Sequence, residues 1–72
     1  MTEELIAILE DYVEADEITA ASSFKEDLGV GSFDIVCMIS DIEKKTGVKL
    51  KSGDFVTNKT VGELASYIES LK

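Results

Sequence analysis

Histidine, arginine, tryptophan and proline are all missing from this chain of 72 residues, and cysteine occurs once. Without histidine a serine triad lacks its usual general base. One cysteine and no histidine leave too few nitrogen and sulfur ligands for a zinc site. Carboxylates are plentiful, but no D-x-D-x-D-G calcium loop occurs. These absences argue against an enzyme and against a resident metal. The lone thiol, Cys37, excludes an internal disulfide and fits a reducing compartment. No apolar run approaches the roughly 20 residues of a membrane span. The opening MTEELIAILE is acidic where an export signal would be basic. The expectation is a monomeric, cytoplasmic, single domain over residues 1–72. A chain of this size hides only about 60% of its unfolded surface, which leaves no room for an enclosed catalytic cleft.

What the chain has in excess is negative charge. The formal net charge is −8, which disfavours nucleic acid and anionic membranes. The charge is unevenly spread. Residues 1–34 hold ten acids and one lysine, whereas residues 35–59 hold three acids and five lysines. Such segregation suits steering toward basic partner surfaces, alongside the plainer role of keeping the protein dispersed in water.

Apolar spacing predicts an all-α fold, a small four-helix bundle with three main helices and one short one. Leu5, Ile6, Leu9, Tyr12 and Val13 recur at helical intervals, with Thr2 as candidate N-cap and Glu3 and Glu4 in the first turn. A long loop from Ala15 to Gly31 follows, with Ile18, Phe24 and Leu28 as anchors onto the core. A second helix is expected from near Ser32 to near Gly47, with Lys44 and Lys45 in its last turn and Gly47 in a left-handed closing position. Val48 and Leu50 should be buried. A brief element around Asp54–Val56 turns Phe55 or Val56 inward. Thr60 and Glu63 match a capping box ahead of the stripe Val61, Leu64, Ala65, Ile68 and Leu71. No segment alternates like a strand.

The second helix carries two apolar faces. At about 100° per residue, Ile35, Met38, Ile39 and Ile42 form one stripe, the expected core face. Phe33, Val36, Cys37 and Ser40 cluster roughly opposite, bordered by Asp34 and Asp41 on one edge and Glu43 on the other. Single exposed apolar residues need no purpose. A contiguous patch rimmed by acids reads better as a docking surface for partner proteins.

At the start of that helix lies Ser32, in EDLGVGSFDIV. Of seven serines it alone sits where a glycine-containing loop becomes a helix. Gly29 and Gly31 leave its approach free of side chains and permit positive φ angles. A helix start offers unpaired N–H groups and positive dipole charge, favourable for a phosphate esterified to Ser32. A plain N-cap serine is the competing reading. GVGS is no Walker loop, because no Lys-Ser or Lys-Thr follows. Nor is it a nucleophile elbow, because Asp34 stands where the last glycine belongs.

The stretch FKEDLGVGSFDIV resembles the region around the modified serine of acyl carrier proteins, where Asp-Leu-Gly is followed after one residue by Asp-Ser-Leu. IEKKTGVKL and KTVGELASYIE resemble the end of that family's second helix and its last helix, so the likeness runs from about Glu3 to Leu71. It implies a carrier with no catalytic residue of its own. A phosphopantetheinyl transferase would move 4′-phosphopantetheine from coenzyme A onto Ser32. The arm's thiol would then hold acyl cargo as a thioester for acyl-loading and acyl-processing enzymes of fatty acid, polyketide or related biosynthesis. Aminoacyl or peptidyl cargo is an alternative, and so is an unmodified helical adaptor with the same fold. The family docks through its second helix. That matches the patch of Phe33, Asp34, Val36, Cys37, Ser40, Asp41 and Glu43, which spacing found independently. Three positions depart from the family pattern: Gly31 replaces an aspartate, Phe33 a leucine, and Cys37 a common glutamate.

Overall fold

The computed structural model describes residues 1–14 and 17–72; Ala15, where the long loop was expected to begin, lies outside them. Among the described residues four helices run in the order α1 (Thr2–Glu10), α2 (Ser32–Thr46), α3 (Ser52–Thr57) and α4 (Val61–Leu71). The all-α expectation of three main helices and a short one holds. Packing follows the apolar stripes: α1 lies against α4 and α2, and α3 lies against α2. Leu5, Leu9, Met38, Ile42, Val61, Leu64 and Ile68 are the largest side chains fully withdrawn from water, and they join the three main helices into one core.

Helix boundaries shift where capping differs from expectation. Thr2 is already helical, and the carbonyl of Met1 accepts the first bond, from the Leu5 N–H at 3.0 Å. Tyr12 and Val13 lie past the end of α1, in a closing turn whose N–H groups both bond the Leu9 carbonyl. α2 closes on Gly47 at φ 78°, a left-handed conformation that glycine adopts without steric penalty. Thr60 caps α4, its hydroxyl oxygen accepting the Glu63 N–H at 3.2 Å. Leu71, expected in the buried stripe, is 48% exposed on the final residue of α4.

The long connection is stitched to the core rather than draped over it. Phe24 is its main anchor and meets Phe55 edge-on, with ring centroids 5.1 Å apart. Val30, not anticipated as an anchor, is also buried, while Ile18 and Leu28 are half-buried. Backbone bonds then tie the loop to the α3–α4 turn. Phe24 N–H donates to the Lys59 carbonyl, Val61 N–H to that of Ser22 and Gly62 N–H to that of Ala20. Ser23 and Thr60 form an isolated antiparallel bridge, though no strand develops among the described residues. The same stitching fixes the approach to α2, and with it the position of Ser32.

Candidate functional site

Gly29, at φ 61°, turns the chain toward α2 in a conformation that side chains disfavour. Gly31 differs. Its φ of −88° and ψ of 170° are open to any residue, so its expected role of supplying a positive φ is not what it does. It is the N-cap of α2, which places Ser32 one position inside the helix and removes the plain N-cap reading of that serine. A glycine cap offers no side-chain oxygen to the first-turn N–H groups. Only the reciprocal arm of a capping box remains, with the Asp34 carboxylate accepting the Gly31 N–H at a long 3.5 Å.

Ser32 is exposed, and among the described residues no hydrogen bond engages its hydroxyl. A Cβ added at Gly31 would meet nothing within 4 Å, so the approach to Ser32 is open. Beside it runs a groove of about 490 Å³, floored by Phe24, Ile35 and Phe55 and with Lys25, Glu26 and Lys59 as its charged lining. Two lysines against one glutamate and a helix start favour an anion there, in competition with the Asp34 carboxylate at the same tip.

The residues grouped around α2 by spacing separate into two sets. Phe33 (80% exposed), Val36 (61%) and Ser40 stand in water. Asp34, Cys37, Asp41 and Glu43 are half-buried. The cause is that α2 has neighbours on two flanks, α1 and α3, so its open sector is narrower than a two-faced helix implies. Asp41 accepts a hydrogen bond from the Tyr12 phenol beyond the end of α1. That bond, with burial and the nearby charges of Asp41, Cys37 and Asp11, pushes the Tyr12 phenol up to about 12. Ile35 and Ile39, expected in the core, are half-buried, whereas Met38 and Ile42 are fully enclosed.

Spacing missed two features. Val56, on α3, is 71% exposed and lines the groove together with Ser32, extending the apolar surface past α2. Ser52 is also exposed and also sits one position inside a helix, behind the N-cap Lys51. The signal that could have found it is the S-x-D pattern SGD, which parallels SFD at Ser32. Ser52 lies on a helix of six residues and does not line the groove.

The Ser32 hydroxyl thus stands unengaged at a helix tip beside a groove. Residues 3–68 match the family model described as "Phosphopantetheine attachment site". The chain is 39% identical over 57 residues to an acyl carrier protein of an Exiguobacterium species, covering 79% of this chain and 72% of the relative. The figures are the same for the acyl carrier protein of Exiguobacterium sibiricum. The chain belongs to the acyl carrier protein family. It is a carrier and not a catalyst, and 4′-phosphopantetheine is its cofactor. The residues present fit that group, because an exposed primary hydroxyl, an open approach and an anion-favouring helix start coincide at one place. No helix among the described residues is long and apolar enough to cross a membrane.

Proposed function

We propose that Ser32 is the attachment point and that the protein presents acyl cargo to partner enzymes through the open sector of α2. The observation that carries this reading is the exposed, unengaged Ser32 hydroxyl in the first turn of α2, beside the groove. In the loading step the Ser32 oxygen forms a new P–O bond as the pyrophosphate linkage of coenzyme A breaks, and adenosine 3′,5′-bisphosphate leaves. The hydroxyl proton passes to a base of the transferase. Once attached, the arm supplies a thiol that carries acyl groups as thioesters. Tethering raises the effective concentration of cargo at each docked active site.

This chain's own residues do the rest. The α2 tip favours the phosphodiester, Lys25 and Lys59 add positive charge beside it, and Phe33 and Val36 offer apolar contact to a docked enzyme. The partners are a phosphopantetheinyl transferase and enzymes that load and process acyl chains in fatty acid, polyketide or related biosynthesis. The described residues act as a single, monomeric carrier domain in the cytoplasm, a setting that suits the free thiol of Cys37. Incubation with coenzyme A and a broad-specificity transferase, followed by intact mass measurement, tests the assignment. One added phosphopantetheine is expected on the wild type and on Ser52→Ala, and none on Ser32→Ala. Modification lost in Ser52→Ala but kept in Ser32→Ala would move the site to α3.

A further inference from the structure

We infer that the corner between α2 and α3 is a second interaction surface, fitted to an acidic patch on a partner protein. Four of the seven lysines, Lys44, Lys45, Lys49 and Lys51, fall within eight consecutive positions, and all four are exposed. The backbone arranges them. Lys44 and Lys45 occupy the last turn of α2, before the left-handed Gly47. After it the chain extends, with Val48 and Leu50 buried at 7% and 6% exposure, so Lys49 between them and Lys51 after them face outward.

Stabilisation of a helix C-terminus accounts for Lys44 and Lys45 but not for Lys49 and Lys51. Internal ion pairing does not account for them either. The ion pairs among the described residues join Glu69 to the Met1 amine and to Lys72. Among the described residues no ion pair joins the corner lysines to the acids closest in sequence. Asp41 holds the Tyr12 phenol, Asp54 accepts the Lys51 N–H at 2.8 Å, and Glu43 is half-buried. From Glu43 to Asp54 the four lysines face two acids, so the corner is a patch of net positive charge on a protein of net charge −8.

Screening decides which anion suits it. At physiological salt, charges are damped over about 8 Å, well short of this molecule's 30 × 22 × 20 Å extents. A compact acidic patch that meets the corner feels chiefly its net positive charge. A membrane or a nucleic acid extends over the flanks as well and meets the acid-rich first half of the chain. Ser32 stands at the opposite end of α2, about 20 Å away by helical rise, so both surfaces can be engaged at once.

Hexaglutamate peptide, titrated into ¹⁵N-labelled protein in about 0.15 M salt, provides the test. Saturable shifts confined to residues 44–51 are expected, with affinity reduced about tenfold or more in the double variant Lys49→Glu/Lys51→Glu. Those two side chains are exposed, so circular dichroism should show unchanged helix content. A Ser32→Ala background should behave like wild type, which separates this surface from the attachment site. Absent shifts, equal shifts around Lys25 and Lys59, indifference to the double variant, or tighter retention on phosphatidylglycerol vesicles would each overturn the inference. So would concentration-dependent self-association abolished by the same variant.

Discussion

Gly31, immediately before Ser32, is one of the positions where this chain departs from the acyl carrier pattern it resembles. Its backbone angles suit any residue and its surroundings are open, so nothing steric demands glycine. Aspartate there would cap α2 and face its positive end, a gain of a few tenths of a kcal/mol. Gly31→Asp should therefore melt at the same temperature or slightly higher, and transferase kcat/KM should rise as the family's carboxylate is restored. A fall in kcat/KM at unchanged stability would show that partners of this carrier select against that charge. Tyr12 gives a second test at this scale. Its phenol is held protonated mainly by the bond to Asp41, with a folded value of about 12 against an ordinary 10. A group raised in the folded state adds stability that is fully present below pH 10 and is lost as pH climbs toward 12. Tyr67 is raised as well, chiefly by the charge of Asp54. In a Tyr67→Phe background, absorbance at the phenolate band should thus place Tyr12 ionisation near 12, and Asp41→Asn should lower it.

Helix α2 divides its residues between the core and the open sector, and substitutions should divide the same way. Met38 is fully enclosed, so Met38→Ala should cost about 2–5 kcal/mol in denaturant unfolding. Val36 is 61% exposed, and Val36→Lys should change stability by no more than about 0.5 kcal/mol while reducing transferase kcat/KM. A stability loss as large as that of Met38→Ala would place Val36 in the core and remove it from the docking surface. The same helix shows what periodicity conveys and what it does not. Spacing identified the faces of Met38 and Ile42 and of Phe33 and Val36, because burial and exposure at those angles follow from one helix alone. It could not place Cys37, Asp41 or Ile35, whose surroundings depend on where α1 and α3 lie. Spacing left open whether Phe55 or Val56 turns inward and gave Ser52 no role for a related reason: a six-residue helix is too short to show a period.

Across the whole molecule the decisive contacts join segments far apart in sequence. The loop anchor Phe24 was legible as an isolated aromatic in a polar stretch, but its partner was not. The edge-on contact with Phe55 and the backbone bonds to the α3–α4 turn arise only once the chain has folded back. These contacts form the floor and one wall of the groove beside Ser32, so stability and site geometry share them. A chain of this size holds roughly 0.05–0.15 kcal/mol per residue, or about 4–11 kcal/mol in total. Phe24→Ala should remove about 3–5 kcal/mol of it, because a nearly enclosed ring leaves a cavity that stitched backbone cannot close. Phe24→Leu fills most of that volume and should lose less. If the groove guides loading, the leucine variant will also load more slowly onto Ser32 at a temperature where it remains folded. Full-speed loading by that variant would separate the two roles and leave the ring as a purely structural anchor.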